Sequence, residues 1–340
     1  MIARVPKDVH VGITGLGAHV PERILTNQEL ARMVETSDEW IVARTGIRER
    51  RIAEPDIATS DLAVLAARAA LDDAAVEPET LDLVLVATAS PDMFFPATAC
   101  IVAAAIGART AAAFDLSAGC SGFVYGLAEA YSAVAGGLAQ RVLLVGADVL
   151  SRFTNWQDRS TCILFGDGSG AVVIEPVREG GFVGFELGSD GARAAELVLP
   201  AGGSRAPASA ETVAAGMHTI QMNGREVFRF ATEALVASAE RVLDACGLTV
   251  AAVDLYVPHQ ANKRIIDRSV VRLGLDPDKV VVNIDRYGNT SSASIPLALD
   301  EARHLGSLES GALVLVTAVG AGLSWGSALF RWIESGSERR

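Results

Sequence analysis

The sequence predicts an α/β fold in which two similar halves each form a sheet covered by helices on both faces. Short apolar runs rich in branched residues alternate along the chain with segments of helical periodicity. A pattern that begins at Leu71 also returns at Leu243, which indicates a duplicated unit. Because the apolar runs are continuous, we expect their strands to be buried on both faces of each sheet.

The elements of the first half follow in order. We expect Ser60 to be the N-cap of the helix SDLAVLAARAALDDA. The strand LDLVLVAT begins at Leu81, and a further strand, AAAFDLS, leads to the helix SGFVYGLAEAYSAVAGG, which begins at Ser121. The strands RVLLVGAD from Arg141 and GAVVIEP from Gly170 complete this half, each bounded by Gly or Pro.

The repeat relates positions 172 residues apart, since LDDAAV and LDLVL match LDACGL and VDLYV. Each copy predicts a helix, a short connection and a strand that begins with the pattern hydrophobic-Asp-hydrophobic. The glycine segment GAGLSWGSALF likewise echoes FGDGSGAVVI in the first half. We therefore expect halves over residues 1–183 and 225–340. The Gly-, Ala-, Ser- and Pro-rich stretch 184–224 separates them as either a lid or a plain insertion.

Composition narrows the class of protein. The 340 residues include 29 basic and 41 acidic side chains, for a net charge of −12; 50% are hydrophobic and 21% charged. That apolar content excludes a disordered chain, and the acidity argues against a nucleic-acid binder. Four cysteines without CxxC spacing favour neither a disulfide framework nor a zinc site.

One uncharged run raises the question of a membrane span. It covers Ser310 to Phe330, 21 residues, which is long enough to cross a bilayer. We interpret it instead as two buried strands, GALVLVTAV and WGSALFRW, around a glycine turn. The beginning MIARVPKDVHVGITG has no long apolar segment typical of a signal peptide. We expect a soluble, cytoplasmic protein that binds no membrane.

Cys120 is the candidate nucleophile. It lies in DLSAGCSGF, between a predicted strand and the helix that follows, among small residues that permit a sharp turn. Helix N-termini stabilise thiolate, which is the reactive form of cysteine. The alternative is a small buried cysteine without chemistry. We expect Cys100, Cys162 and Cys246 to be core residues, since none has a glycine-flanked turn.

Two further residues are suited to chemistry. His259 ends the strand VDLYVP, where catalytic groups collect in α/β folds, but a structural cap explains it equally well. Asn289 follows Gly in YGNTSS; a turn residue is the simpler interpretation, and its amide is also a donor for an oxyanion. Papain-like proteases use Cys, His and Asn in this order, but their CG[SA]C[WY] signature is absent here. A cysteine hydrolase therefore stays a weaker alternative.

Seven motifs, in order and in register, resemble the β-ketoacyl-acyl-carrier-protein synthase III family of thiolase-like condensing enzymes. They are TSDEWIVARTGIRERR, DLSAGCSGF, DRSTCILFGDGSGA, MNGREVF, VPHQAN, YGNTSSASIP and GAGLSWGSAL. The resemblance implies a thiolase-like fold with two pseudo-symmetric halves, each with a five-stranded mixed sheet, layered αβαβα. It also implies a homodimer and a reaction that needs no metal or tightly held cofactor.

The resemblance also implies a decarboxylative condensation that begins fatty acid synthesis. Cys120 would take the acyl group of an acyl-CoA, and malonyl-acyl carrier protein would then decarboxylate and attack it, giving 3-oxoacyl-acyl carrier protein. His259 and Asn289 would stabilise the oxyanion of decarboxylation, and the backbone N–H groups of Cys120 and Gly322 the other one. A relative that makes polyketide starters is the alternative within the family.

Further positions carry over by motif. Trp40 and Arg159 resemble the pair that stacks on the CoA adenine. Phe95 matches a residue that reaches across the dimer to the acyl pocket. The positions that match the lining of the pantetheine channel are Thr36, Arg44, Gly224, Phe228, Ala261 and Asn262.

A basic stripe predicts where an acidic carrier protein docks. Arg264, Arg268 and Arg272 recur at i, i+4 and i+8, so they share one face of a helix, with Lys263 beside it. A solvated helix face is the plain alternative, and Asp267 lowers the positive charge of the stripe. Because the stripe begins beside the expected channel mouth, we favour docking.

Overall fold

Two five-stranded sheets alternate with three layers of helices. The computed structural model describes residues 1–6 and 8–333. Residues 334–340 of the predicted C-terminal half lie outside the described residues. The strands are β1 (Ile2–Arg4), β2 (Val11–His19), β3 (Ile24–Thr26), β4 (Glu49–Arg51), β5 (Leu83–Ala87), β6 (Ala112–Leu116), β7 (Val142–Val149), β8 (Asp167–Pro176), β9 (Gly181–Ser189), β10 (Leu197–Val198), β11 (Gln221–Met222), β12 (Leu255–Pro258), β13 (Leu313–Gly320) and β14 (Ser324–Arg331). The helices are α1 (Asn27–Leu30), α2 (Asp38–Thr45), α3 (Thr59–Ala74), α4 (Thr98–Ile106), α5 (Gly122–Ala135), α6 (Ala210–Ala214), α7 (Gly224–Cys246), α8 (Lys263–Leu273), α9 (Ile284–Tyr287) and α10 (Ser294–His304).

Both large sheets are mixed. The first has the order β2-β8-β7-β5-β6, with β5 parallel to both of its neighbours and β8 antiparallel to β7 and β2. The second has the order β1-β9-β14-β13-β12, in which only the β12–β13 pair is parallel. The strands predicted from Leu81, Arg141 and Gly170 and the pair inside Ser310 to Phe330 are all present.

The layers follow from which faces the helices bury. Helices α3 and α4 pack on the outer face of the first sheet through small side chains such as Ala66 and Ala70. Helices α5 and α10 lie between the sheets, where Phe123 and Leu299 share a core with Leu144 and Val316. Helices α7 and α8 cover the outer face of the second sheet. The predicted αβαβα layering is confirmed.

The predicted repeat is visible in local structure. A short 3-10 turn, Pro78–Thr80, leads from α3 to β5, and its counterpart Val250–Ala252 leads from α7 to β12. The aspartate that follows each turn accepts backbone N–H groups at the start of the neighbouring parallel strand of the same sheet. Asp82 accepts from Arg141 at 3.0 Å, and Asp254 accepts from Leu313 at 2.9 Å. The hydrophobic-Asp-hydrophobic pattern therefore marks the joint between two strands in each half.

Two sequence-based predictions need correction. The expected boundary between residues 183 and 184 falls inside β9, which joins the second sheet as a neighbour of β1 and β14. The short turn after β8, residues 177–180, returns the chain to the other sheet, so chain order and sheet membership differ. Ser60 is not an N-cap, because α3 begins at Thr59 and the Ser60 hydroxyl donates to Asp92 Oδ2 at 2.6 Å.

None of the helices in the described residues is both long and apolar enough to cross a membrane. The run from Ser310 to Phe330 forms β13 and β14, which pair with each other as an antiparallel hairpin.

Candidate active site

Cys120 lies in a 3-10 turn, Gly119–Ser121, between the end of β6 and the first residue of α5. The turn is held to the second half of the chain: the Ser121 hydroxyl donates to Ala118 O at 2.7 Å and lies 2.8 Å from the Ser324 hydroxyl. The predicted placement of Cys120 between a strand and a helix N-terminus is confirmed.

The glycine segment after β13 packs directly on this turn. A Cβ at Gly320 would lie 2.7 Å from the backbone nitrogen of Cys120, so only glycine permits this approach. A Cβ at Gly119 would likewise lie 2.6 Å from the backbone nitrogen of Ala321. Gly322 follows with a φ of +146°, a conformation that side chains rarely adopt. The predicted oxyanion residues, Cys120 and Gly322, are thus on two segments in contact.

The ionisation of Cys120 differs from the expectation. The pKa of the Cys120 thiol is raised to about 12, chiefly by burial; the Ser291 side chain lowers this pKa and the negative charge of Asp148 raises it. The helix N-terminus does not outweigh desolvation, because burial penalises the charged form of the thiol. The free protein therefore holds Cys120 as a neutral thiol at pH 7.

His259 follows β12 directly and is almost fully buried. Its backbone N–H donates to Thr317 O at 2.7 Å, and its Nδ1 lies 2.6 Å from the Ser294 hydroxyl at the start of α10. The same hydroxyl accepts the Gln260 N–H at 3.4 Å. Burial lowers the pKa of His259 to about 3, so the imidazole is neutral at physiological pH.

Asn289 is held at three points in the loop after α9. Its backbone N–H donates to Leu164 O at 2.8 Å, its carbonyl accepts the Gly166 N–H, and its Oδ1 accepts the Ser291 N–H at 2.8 Å. Because Oδ1 is engaged, the free donors of this side chain are the two hydrogens on Nδ2. The residue is therefore more than a turn former, since its amide is oriented.

One apolar cavity brings these residues together. Cys120, His259 and Asn289 line it with hydrophobic side chains from the strands and helices around it. Of the predicted channel residues, Gly224, Phe228, Ala261 and Asn262 also line it. A second apolar recess shares Cys120 and extends past Phe153, Leu197 and Ser291. Cysteine, histidine and asparagine, which lie far apart in the sequence, are thus accessible to one ligand.

The remaining predicted CoA residues form a cluster next to this cavity. The guanidinium carbons of Arg44 and Arg159 lie 5.1 and 5.3 Å from the ring centroid of Trp40. Asn262, which lines the cavity, donates from Nδ2 to Arg44 O at 3.1 Å and so connects the two regions. Thr36 precedes α2, and its hydroxyl oxygen has no hydrogen-bond partner among the described residues.

The basic stripe lies on the exposed face of α8. Arg264 and Arg268 place their guanidinium groups 5.2 and 4.9 Å from the ring centroid of Phe228. Arg272 donates to Thr232 O, and Lys263 pairs with Asp267 at 2.7 Å. Because Phe228 itself lines the cavity, two positive charges lie at the edge of this cavity.

Phe95 lies outside both recesses. It is 85% exposed, and its neighbour Phe94 is 76% exposed. Cys100 is also exposed, so the expectation that it belongs to the core is wrong, because its side chain is on the open face of α4 and reaches Ala113 O at 3.6 Å. Cys162 and Cys246 are buried as predicted.

Three polar residues around the site were not predicted. Ser294 contacts His259, and Ser291 and Asp148 act on Cys120. Asp148 had a visible signal, since it is the one charged residue in the buried run VLLVGADVL, but we interpreted that run as a strand only. The two serines lie in a serine-rich loop whose sequence does not distinguish one hydroxyl from another. Over residues 1–6 and 8–333, no group of three or more His, Cys, Asp or Glu side chains is arranged to hold a metal ion.

Comparison with known proteins gives a consistent result. Residues 114–191 match the family described as 3-oxoacyl-[acyl-carrier-protein] synthase III, and residues 243–332 match the C-terminal part of that family. The β-ketoacyl-[acyl-carrier-protein] synthase III of Symbiobacterium thermophilum is 58% identical over 323 residues, which cover 95% of this chain and 98% of the relative.

Solved structures agree with this result. That of the β-ketoacyl-[acyl-carrier-protein] synthase III of Thermus thermophilus is 48% identical, with a TM-score of 0.88, and the match covers 95% of this chain and 100% of that one. The priming β-ketosynthase of the R1128 polyketide pathway is 37% identical, with a TM-score of 0.89 over 98% of this chain and 99% of that one.

Proposed function

Since the chain belongs to the β-ketoacyl-[acyl-carrier-protein] synthase III family, we propose that it catalyses the condensation that initiates fatty acid synthesis. An acyl-CoA primer and malonyl-acyl carrier protein give 3-oxoacyl-acyl carrier protein, CoA and CO2. The observation that carries the proposal is the shared cavity, because it exposes a thiol and two oriented donors to one ligand. The reaction has two stages, and each uses a different part of this set.

In the first stage, the sulfur of Cys120 attacks the thioester carbon of acyl-CoA and CoA leaves. Sulfur suits both stages because its thiolate is a good nucleophile toward a thioester and a good leaving group afterwards. The tetrahedral intermediate carries an oxyanion, which we assign to the backbone N–H groups of Cys120 and Gly322. The close contact between the glycine segment and the Cys120 turn supports this assignment.

In the second stage, malonyl-acyl carrier protein loses CO2 and negative charge develops on its thioester oxygen. That charge needs donors, not a base, and a neutral histidine is suited to this role. The Ser294 hydroxyl accepts the Gln260 N–H and so has its own hydrogen free to donate to Nδ1 of His259. The ring proton then resides on Nε2. Nε2–H of His259 and Nδ2–H of Asn289 are the two donors we propose.

CoA binding is assigned to the two regions next to the cysteine. Trp40 with Arg44 and Arg159 offers an aromatic ring and guanidinium planes, on which an adenine stacks. The pantetheine arm would then pass the channel residues named from the sequence, which are Thr36, Arg44, Gly224, Phe228, Ala261 and Asn262. Every bond change in both stages involves substrate atoms and the residues named, so we propose no metal or bound cofactor. The CoA and carrier-protein substrates favour a cytoplasmic location.

Charge reversal on α8 tests carrier-protein docking. We expect Arg264→Glu to raise the KM for malonyl-acyl carrier protein roughly 5- to 20-fold, because it places a negative charge where an acidic partner would bind. The KM for acyl-CoA in the acylation stage should change less than the KM for the carrier protein. Both values are measured by steady-state and single-turnover kinetics on the purified variant.

The matched control for this test is Arg178→Glu. Arg178 is exposed on the turn after β8, at the opposite end of that strand from the site. The control changes the net charge of the protein equally, so we expect it to leave both KM values within about twofold. Equal weakening of acyl-CoA and carrier protein by Arg264→Glu would argue against docking at this helix.

We also propose a homodimer, in which Phe95 reaches the acyl recess of the partner subunit. Among the described residues, strand β6 lies at the edge of the first sheet, and its Phe114 is 42% exposed. The neighbouring loop exposes Met93, Phe94 and Phe95. Together these features form a large apolar surface of the kind that subunits bury.

We expect Phe114→Lys to convert the protein to a monomer, because it introduces a charge into the proposed interface. Light scattering coupled to gel filtration measures the mass. Leu138→Lys is the control, since Leu138 is 84% exposed on the turn after α5 and outside this surface. A parent protein that is monomeric at micromolar concentration would contradict the homodimer.

The function itself is tested by incubating the protein with a panel of acyl-CoAs and malonyl-acyl carrier protein and detecting products by mass spectrometry. We expect a 3-oxoacyl-acyl carrier protein with at least one short primer. Acceptance of specialised starters alone would favour the polyketide-type alternative, in line with the R1128 relative. Free acid released without malonyl-acyl carrier protein would indicate a hydrolase, and no condensation product with any primer would overturn the proposal.

A further inference from the structure

Asp148 is a buried carboxylate that the two-stage reaction leaves unused. It is the penultimate residue of β7 and is fully shielded from solvent. No ion pair involves it among the described residues. Its Oδ1 accepts three hydrogen bonds, from the Thr88 hydroxyl at 3.1 Å and from the Ala89 N–H and Ser90 hydroxyl at 2.8 Å. Within residues 1–6 and 8–333, its Oδ2 accepts the Ser292 N–H alone, at 3.1 Å, and so retains capacity for another donor.

Ser291 lies near both this carboxylate and the nucleophile, since its side chain acts on the ionisation of each. It is 1% exposed and lines the same recess as Cys120. The next residue, Ser292, is bonded on both sides, from its N–H to Asp148 and from its hydroxyl to Gly119 O at 3.2 Å. Ser291 itself has a φ of +52°, a conformation in which residues other than glycine are uncommon. The loop therefore holds the Ser291 side chain in a strained position beside the cysteine turn.

The Ser291 hydroxyl has two titratable groups nearby but is hydrogen-bonded to no described residue. Its oxygen has no partner in full hydrogen-bonding geometry among the described residues. It is nevertheless close enough to the Cys120 thiol and to the Asp148 carboxylate to lower the pKa of each. An unsatisfied buried hydroxyl is costly, so its presence near two titratable groups calls for a function.

The first stage of the proposed reaction needs a group that accepts the proton of the Cys120 thiol. The Cys120 thiol must lose its proton, yet burial raises its pKa to about 12. His259, the other titratable group in the cavity, has its pKa lowered by burial to about 3 and is a poor base. Burial raises the pKa of Asp148 above its ordinary value, which makes this carboxylate a better proton acceptor than a solvated one.

On this geometry, and resting on the proposed function, we propose that Ser291 relays the Cys120 proton to Asp148 when acyl-CoA is attacked. The thiol proton passes to Ser291 Oγ as the Ser291 proton passes to Asp148 Oδ2, and the sulfur bonds to the acyl carbon. The bond from that carbon to the CoA sulfur then breaks. The CoA thiolate takes its proton from the Ser291 hydroxyl, which recovers one from the Asp148 carboxyl, so CoA leaves as a thiol and the carboxylate is restored.

The relay avoids placing two negative charges together in the buried site. Cys120 and Asp148 are the two titratable groups whose charges act on each other here. Moving a proton from one to the other shifts a single negative charge within the buried site and does not create a second one. Loss of the proton to solvent would instead leave thiolate and carboxylate together in a region of low dielectric, where like charges repel strongly. Asp148 acts through Ser291 and is thus a positioning residue in contact with no substrate atom.

The decisive variants are Ser291→Ala and Asp148→Asn, with Ser292→Ala as the matched control. Ser292 is the adjacent serine, equally buried, and its hydroxyl points to a backbone carbonyl. We expect both relay variants to slow single-turnover acylation by about 100-fold or more, the range of proton-transfer catalysis. Ser292→Ala should stay within about threefold of the parent. Decarboxylation of malonyl-acyl carrier protein should change little in all three.

A second measurement separates a relay from a purely electrostatic effect. Because the negative charge of Asp148 raises the pKa of Cys120, Asp148→Asn should lower that pKa and move alkylation by iodoacetamide to lower pH. Ser291→Ala should move it to higher pH. A relay thus predicts that acylation slows in both variants although the alkylation profiles move in opposite directions. Faster acylation in Asp148→Asn would overturn it.

The possible results distinguish failure of the proposed function from failure of the relay. A parent protein that does not acylate Cys120 contradicts the proposed function, whereas a parent that acylates normally beside an unimpaired Ser291→Ala contradicts the relay alone. Equal loss of acylation and decarboxylation in Ser291→Ala would also contradict it, since that pattern indicates a disturbed loop. If Asp148→Asn does not fold, the comparison of Ser291→Ala with Ser292→Ala decides the question.

Discussion

Replacing Cys120 with alanine is expected to abolish acylation of the protein by acyl-CoA, with a loss on the order of 10⁴-fold or more. The effect is this large because Cys120 is, among the described residues, the one thiol that lines the cavity. Intact-protein mass spectrometry after incubation with acyl-CoA measures the adduct, and peptide mapping assigns it. Release of CoA in a single turnover gives the rate.

The same variant should retain decarboxylation of malonyl-acyl carrier protein, because His259 and Asn289 are unchanged. The matched control is Cys100→Ala, which removes the exposed cysteine and leaves the cavity intact. We expect this control to acylate at the parent rate. An adduct on Cys100, or an adduct that survives in Cys120→Ala, would contradict the assignment of the nucleophile.

Much of the fold follows from patterns that the sequence carries locally. Continuous apolar runs gave the central strands, and the repeated joint at Asp82 and Asp254 indicated the two halves, because each unit satisfies its backbone groups in the same way. The strand β9 could not be placed in this way. Its sequence, GFVGFELGS, does not identify its partner strands, and only the packed structure decides that it pairs with β1 and β14 instead of continuing the first sheet.

The site was partly predictable for a related reason. Cys120, His259 and Asn289 each lie next to a strand end or turn that motifs mark, and one cavity does bring them together. The sequence alone did not predict the protonation state of Cys120 or the hydrogen-bond partners of His259. Burial of the thiol outweighs the helix N-terminus, and the contact with Ser294 joins residues 35 positions apart. Both depend on how the halves pack.

His259→Ala and Asn289→Ala are expected to reduce decarboxylation of malonyl-acyl carrier protein by about 10²- to 10³-fold each, the usual cost of removing one oxyanion donor. Acylation of Cys120 by acyl-CoA should remain within about tenfold of the parent, because we assign the oxyanion of that stage to backbone donors. Release of CO2 and release of CoA, measured separately, report the two stages. Failure of both variants at acylation would show that this division of roles is wrong.

Two properties of the site sharpen this prediction. If both donors act on one oxyanion, the double variant should lose less than the product of the two single losses. The pH dependence is also fixed in direction: burial lowers the pKa of His259 from 6.5 to about 3, so the ring keeps its neutral, donating form as pH falls from 8 to 5. Decarboxylation should therefore show no loss of rate centred near pH 6.5. A loss there that disappears in His259→Ala would mean that the ring is protonated in the working enzyme, and a neutral Nε2–H donor would be excluded.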